Sequence, residues 1–475
     1  MKWIYLSALF LLFSMSIQAQ EKWSLPQLVQ YAMDNNITIK QTSLQEKFSA
    51  LSLRQNKLSQ IPNANFSGGL SYSSGRNQDP TTFSLITQSY LSSNMNLQSS
   101  VEIFSWFSKR NTIAASEWEL QAAKANTDKL KNDISLMIAN LYLQALLAKE
   151  QIKIADVQLT QSQSQLLKTR KLVDAGSLPE LNAAELEAQV ARDSANLISS
   201  KGNLTQTLLS LKSYLNLDAA KPFEIESPAA DKIPVLSIAE LQPELVYQLA
   251  MVNLPQQKFN GYKLKAAEKA AAAAKADMLP SLSGSAGIGS SYNNRAKQIT
   301  GSTPVIAAIG KVNVGGTDYN VFPFQPFTSY QYGNNPYFNQ LNENFRQSIG
   351  LSLSIPLFNG GAARTNWERN KLTVRNLQYQ VEAGNQQTKQ DIYLAYNNAI
   401  VAFEKFNASK KAVESAERSF SFAQKRYEVG MLSTFELISN QNNLLTQKFQ
   451  YVLNEFDYVF KMKVLEFYRG QGLKF

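Results

Sequence analysis

The chain has 475 residues, a net charge of +10, no cysteine and no histidine. That composition excludes disulfides, thiolate nucleophiles, Cys/His zinc sites, His-based triads and a lipid anchor on an N-terminal cysteine. The 47 Lys and Arg residues are scattered singly along the chain. This is the pattern of solvated helix faces, so nucleic acid is not an expected partner.

Residues 1–19 read as a cleavable signal peptide. Lys2 is followed by the apolar run WIYLSALFLLFSMSI and then Gln18-Ala19, with cleavage expected after Ala19. The alternative, an uncleaved anchor, is opposed by the short apolar core and its flanks. The mature chain is expected to be exported. Beyond this segment no apolar run is long enough to span a bilayer as a helix.

The remainder divides into two repeats, 20–244 and 245–475. Ala32, Met33, Asn35 and Pro62 match Ala250, Met251, Asn253 and Pro280 at a constant offset of 218 residues. Farther on, Phe104, Arg110, Gly176 and Tyr214 match Phe358, Arg364, Gly430 and Tyr468 at an offset of 254. From arginine to glycine the spacing is 66 residues in both repeats, enough for a helix of about 100 Å. The helices therefore have matched lengths, and the extra 36 residues of the second repeat fall in its loop.

In chain order, the first repeat opens on LVQYAMDNN and a helix, then turns at Ile61-Pro62 into extended chain. Strands are predicted at about 63–73 and 94–105, joined by a loop over 73–93. Ala64, Phe66, Gly68, Leu70 and Tyr72 share one face, as do Met95, Leu97, Val101 and Ile103. The rising helix carries Leu130, Ile134, Met137, Leu141, Ala145, Ala148, Ile152, Ala155 and Leu159 at steps of mostly three and four. It turns at a tip over 174–180 around Gly176. The descending helix repeats Leu181, Ala184, Ala188, Ala191, Ala195 and Ile198, a predicted seam of small residues.

The second repeat opens on LVYQLAMVN and follows the same plan. Strands are predicted at about 281–290 and 346–357. Leu282, Gly284, Ala286 and Ile288 share one face, as do Ile349, Leu351, Leu353 and Ile355, with Ser and Gly opposite. Between them runs a long loop, 291–345, bearing Tyr319, Phe322, Phe324, Phe327, Tyr330, Tyr332, Tyr337 and Phe338. Such a loop packs on itself, covers a barrel mouth, or meets an outer partner. The tip is expected at 428–434 around Gly430. After it, Phe435, Ile438, Asn442, Leu445, Phe449, Val452, Phe456 and Val459 alternate by three and four as a second seam.

Period-two strands with one apolar and one small polar face fit either a half-buried soluble sheet or a membrane barrel with a wet interior. A soluble sheet needs a cover for its apolar face, yet every helix spends its seam on another helix. The barrel is therefore preferred. Four strands cannot close one, and lipid does not tolerate an open edge, so the chain is expected to oligomerise. Trimeric closure gives twelve strands, and two-fold or four-fold closure is also arithmetically possible.

The signal peptide, the two helix–strand–strand–helix halves, and the motifs LVQYAMDNN, IPLFNGG and YEVGMLSTFELISNQNNL together resemble the TolC-like outer membrane efflux proteins. The resemblance covers about residues 21–470. It implies a mixed α and β fold: a trimeric 12-stranded barrel in the Gram-negative outer membrane, continued by a long periplasmic α-helical coiled-coil barrel. It further implies a homotrimer in contact with outer membrane lipid, a periplasmic adaptor docked on the helical tips, and an inner membrane transporter reached through that adaptor. No cofactor or metal is implied. The docking tips map to Ala175, Gly176, Ser177 and Leu178 and to Val429, Gly430, Met431, Leu432 and Ser433. The entrance gate maps to Tyr427, Glu436, Ser439 and Asn182. Leu432, Ser439 and Asn182 depart from the arginine, second carboxylate and acidic partner of one well-studied family member, so a weaker lock, or one built on other residues, is expected. Three Glu436 carboxylates around a narrow entrance would raise one another's pKa and attract cations.

The resulting reading is a passive exit duct for a tripartite efflux or type I secretion system. A rival from another class is a barrel-anchored structural tether or adhesin without transport, which would not conduct ions. Enzymatic activity is the third reading. Against it, the carboxylates are dispersed over long helices, and any serine nucleophile would need a lysine base that nothing marks.

Overall fold

The computed structural model describes residues 22–78, 83–227, 233 and 236–470. The expected signal peptide lies outside the described residues. The chain forms two compact units, one of residues 1–53, 115–268 and 372–475, the other of residues 54–114 and 269–371. No helix among the described residues is long and apolar enough to cross a membrane.

The first unit is helical. α1 (Leu25–Asn35) starts in a capping box between Ser24 and Gln27, which satisfies two otherwise orphaned donors. α2 (Ile37–Leu58) follows after Asn36, whose Oδ1 accepts from the backbone N–H of Thr38 and Ile39 at 2.9 and 3.2 Å. The long helix α3 (Ser108–Asp174) and its partner α4 (Glu180–Leu215) complete the first repeat. α5 (Pro243–Asn253), α6 (Pro255–Ala276), α8 (Ala362–Glu428) and α9 (Thr434–Tyr468) repeat the series. Both α3 and α8 contain 67 residues.

Two cores hold these helices. Leu28, Ile138, Leu146, Leu211, Leu215, Ile225 and Phe456 pack together, and Leu241, Val246, Ile392, Met462 and Leu465 form a second cluster. Each fully buried leucine or isoleucine contributes roughly 1.5–3 kcal/mol of transfer free energy. The connection between repeats is pinned to α9: Leu236 N–H donates to Glu466 Oε1 at 2.8 Å, and the buried Lys463 ammonium holds Glu466 Oε2 at 2.9 Å.

The second-repeat seam is buried or half-buried at Ile438, Asn442, Leu445, Phe449, Val452, Phe456 and Val459. Phe435 is an exception, 70% exposed, because the buried row at the tip runs through Thr434, Leu437, Ile438 and Gln441. The first-repeat seam needs a larger correction. Leu181, Ala184, Ala188, Ala191, Ala195 and Ile198 are all exposed, and α4 instead buries Ala183, Leu186, Gln189, Asp193 and Leu197. The helix carries two stripes, and its own chain covers the more polar one.

The second unit contains the sheet. β1 (Asn63–Gln78), β2 (Leu85–Phe104), β3 (Ser281–Asn293) and β8 (Arg346–Ser354) are antiparallel in the order β1-β2-β3-β8. The segment expected as a plain loop, 291–345, is a structured arm. β4 (Lys297–Val305) pairs with β7 (Phe327–Asn334), β5 (Gly310–Val314) pairs with β6 (Thr317–Val321), and α7 (Tyr337–Glu343) closes its base. The buried Gln340 anchors α7, exchanging hydrogen bonds with the Asn293 backbone at 2.9 and 3.0 Å.

Candidate functional site

Strand alternation makes the sheet two-faced. Cross-strand partners share a face, so the pairs Phe66–Leu97, Leu97–Ile288 and Ala286–Ile349 set one apolar surface across all four strands. It continues through Leu70, Tyr72, Met95, Val101, Leu351 and Leu353. No described residue covers it: Ile349, Leu351 and Phe66 are 91, 73 and 70% exposed. The opposite face presents Asn63, Asn65, Ser67, Asn94, Asn96, Gln98, Ser100, Ser283, Ser285, Ser348 and Ser352. Its groups bond one another, as where the Ser100 hydroxyl donates to Asn63 Oδ1 at 3.0 Å. β1 and β8 each have an unpaired edge within the sheet. An uncovered apolar face with two open edges calls for a cover and for edge partners that the described residues do not supply.

The two helical turns are built alike. After α3, the Gly176 N–H donates to Val173 O and Ser177 N–H to Leu172 O, both at 2.8 Å. After α8, Gly430 N–H donates to Tyr427 O at 2.9 Å and Met431 N–H to Arg426 O at 2.8 Å. This is the Schellman cap, which needs a left-handed residue, and Gly176 and Gly430 have φ of 71° and 73°. Ala175, Ser177, Val429, Met431 and Ser433 are exposed, while Leu178 and Leu432 are half-buried. Leu432 packs with Tyr427 against Phe420, Ala423 and Leu437.

The four expected gate residues do not come together as one cluster. Tyr427 sits at the contact between the repeats, its hydroxyl 3.1 Å from Thr169 Oγ1 and 3.4 Å from Thr434 Oγ1. Glu436 caps its own helix. Its Oε2 accepts from the Ser433 N–H at 3.1 Å and the Ser433 hydroxyl at 2.8 Å, and its N–H donates back to Ser433 Oγ at 3.2 Å. These bonds, led by the backbone one and aided by the nearby Arg426, hold its pKa below the ordinary carboxylate value. Within one chain the shift is therefore opposite to that expected for a ring of carboxylates. Ser439 is exposed and Asn182 half-buried. The first tip has its own clamp, Arg170, which bridges Glu180 at 2.7 Å and also binds Glu187.

Sequence reasoning missed a buried polar knot above the tips. The Ser162 hydroxyl donates to Asp193 Oδ2 at 2.5 Å and accepts from Gln441 Nε2 at 2.9 Å. Gln189 Nε2 donates to Asp193 Oδ1 at 3.0 Å and to Asn442 Oδ1 at 2.9 Å. The knot joins α3 and α4 of the first repeat to α9 of the second. The signal available was the interruption of apolar steps by Gln189, Asp193, Gln441 and Asn442.

Comparison with known proteins places this geometry. Over 290 residues the chain is 24% identical to the probable outer membrane lipoprotein SilC of Salmonella typhimurium, covering 60% of each chain. Over 117 residues it is 24% identical to the outer membrane protein TolC of Escherichia coli strain K12, covering 23% of this chain and 24% of TolC. These matches span less than two thirds of either relative. The crystal structure of CusC, at 17% identity, superposes with a TM-score of 0.76 over 97% of this chain and 96% of CusC, which shows the shared fold. The family model for outer membrane efflux proteins matches residues 28–217 and 246–461. That family consists of channels and not of enzymes. Matched in both of its repeats and alike in fold from end to end, the chain belongs to the outer membrane efflux protein family.

Proposed function

We propose that the protein is the outer membrane exit duct of a tripartite efflux or type I secretion system. It passively conducts substrate delivered by an inner membrane transporter through a periplasmic adaptor. The observation that carries this reading is the two-faced sheet: apolar and uncovered on one side, hydroxyl- and amide-lined on the other, open at β1 and β8. In a homotrimer, β1 of each copy pairs with β8 of the next. This closes twelve strands around water in the Gram-negative outer membrane and turns the apolar face to lipid. The helices continue the duct into the periplasm.

The tips around Gly176 and Gly430 form the adaptor-docking end, with Val429 and Met431 as exposed apolar contacts. Closure there depends on Tyr427, Thr169 and Thr434 together with the Ser162–Asp193–Gln441 knot. This is a lock built on residues other than an arginine at position 432. The small neutral groups of the lumen face impose little selection, so cargo choice rests with the transporter.

The absence of native cysteine lets a single introduced cysteine carry a photo-crosslinking group at a chosen position. A photo-crosslinking residue at Val429 or Met431 is expected to capture a periplasmic adaptor in cells, identified by mass spectrometry, whereas one at Leu372 is not. Equal capture from all three positions would remove the tips as the docking site.

A further inference from the structure

The internal repeat sets more than helix lengths. β3 begins 218 residues after β1, at Ser281 and Asn63, and α8 begins and ends 254 residues after α3. Within the chain, β2 of the first repeat pairs with β3 of the second. That ladder runs from Ser92–Asn293 to Glu102–Ser283, where an extra residue, Ile103, makes a β-bulge. The edges left open in this sheet belong to β8 and β1, the counterparts of β2 and β3. Joining them between copies therefore repeats a seam that the chain already makes.

The register carries over when 254 is added to each β2 position and 218 is taken from each β3 position. Arg346 then meets Gly75, Ser348 meets Ser73 and Gly350 meets Ser71. Two observations support this transfer. Ile349, Leu351 and Leu353 fall opposite Tyr72, Leu70 and Gly68, all on the apolar face, whereas a slip of one residue would set them against the polar face of β1. Moreover, β8 begins at Arg346, the counterpart of Ser92, where the β2–β3 ladder begins. Past that point the β2–β3 seam carries a latch. Leu91 N–H donates to Asn294 Oδ1 at 2.8 Å, and Arg295 Nε donates to Ser89 O at 3.0 Å. The corresponding positions between copies are Phe345 and Glu343 on one side, Arg76 and Asn77 on the other.

Arg76 is exposed and shares its side of the sheet with Tyr72. α7, which ends at Glu343, stands on that same side: Ser290 shares the face of Ile288, and its hydroxyl donates to Leu341 O at 2.6 Å. Glu343 is exposed, and its Oε2 accepts from Asn335 Nδ2 at 2.7 Å, which leaves the carboxylate room for a second donor. We infer that copies of this chain join β8 to β1 in the register that sets Ser348 opposite Ser73, and that Glu343 of one copy forms an ion pair with Arg76 of the next at the outer end of the seam. The inference rests on reading the sheet as part of a barrel closed by several copies, and it adds what fixes the register. A slip of two residues keeps both faces matched, so alternation alone does not exclude it. Opposite charges within diagonal reach do, because the slip carries Arg76 away from Glu343.

The test uses the full mature chain, which has no native cysteine. Within one chain Ser73 and Ser348 lie three strand spacings apart across the sheet, about 14 Å, so a disulfide between them forms only across copies. Ser73→Cys/Ser348→Cys is expected to give covalent oligomers on oxidation several-fold faster than Ser71→Cys/Ser348→Cys or Ser73→Cys/Gly350→Cys, which report slips of opposite sense. Faster reaction of either slipped pair overturns the register while leaving the barrel standing. No disulfide across copies from any pair overturns both. For the ion pair, Arg76→Glu is expected to lower by several degrees the temperature at which the detergent-solubilised oligomer dissociates on gels at low salt. Adding Glu343→Arg, or Glu343→Gln, which keeps an acceptor for Asn335, is expected to recover at least half of that loss. No recovery from either second substitution overturns the ion pair.

Discussion

Replacing Tyr427 by Phe removes one oxygen and leaves the ring in its cluster with Phe420, Ala423 and Leu437. The hydroxyl lost is the one that lies 3.1 Å from Thr169 Oγ1 and 3.4 Å from Thr434 Oγ1. Thr169 is fully buried and Thr434 nearly so, so water does not replace the missing partner while the tips stay together. A buried hydroxyl left unsatisfied costs about 1–3 kcal/mol. When the tips part, the threonines meet water and the cost disappears. The variant therefore weakens only the closed state, shifting the closed-to-open ratio roughly 5- to 150-fold per protomer. Single-channel recording in planar bilayers should show a higher open fraction. Thr169→Val should do the same, and the double variant should add little to either single one, because both remove the same bond. An unchanged open fraction in a channel of normal heat resistance would refute this account of the lock.

Ser433→Ala removes the capping box and should destabilise the start of α9 by about 1 kcal/mol, read as faster amide exchange over residues 434–438. The folded pKa of Glu436 lies below its ordinary value of 4.5. Its stabilising contribution is therefore complete above that value and lost as pH falls through the folded pKa. Protection at the second tip should drop in acid, and Ser433→Ala, which removes the hydroxyl and the box, should remove most of that pH dependence. Leu351→Arg on the apolar sheet face should cost about 2–4 kcal/mol in lipid and abolish heat-resistant oligomers on gels, whereas Ser352→Arg on the other face should assemble and change ion selectivity. Glu466→Ala removes both the carboxylate oxygen 2.9 Å from the buried Lys463 and the acceptor of the Leu236 N–H. The expected loss is about 3–5 kcal/mol, measured as a lower helical melting temperature.

The large features were legible because they rest on local chemistry. Period-two alternation marked the four sheet strands, and glycine with a left-handed requirement marked both turns. Two constant offsets revealed the repeat. What escaped depended on what lies beside a helix or strand. The descending helix of the first repeat carries an Ala/Leu stripe and a polar one. The apolar stripe looked like the seam, but the chain buries the one with Gln189 and Asp193, whose polar groups are satisfied by Ser162 and Asn442 across the contact. The Ser433-x-x-Glu436 capping pattern is local and legible in the sequence, whereas a gate role for Glu436 rests on resemblance and on contacts between copies. The bulge at Ile103 was hidden because an extra residue shifts register without changing composition. In the loop over 291–345, Gly, Asn and Pro masked alternating strands such as Val312 and Val314 opposite Tyr319 and Thr317.

The central claim is a water-filled pore closed by several copies of this chain. Ion current through the purified full-length oligomer in planar lipid bilayers tests it most directly. The account predicts discrete, stepwise conductance from the heat-resistant oligomer and none from the dissociated chain. Stable insertion of that oligomer with no conductance, in the native protein and in Tyr427→Phe alike, would contradict it.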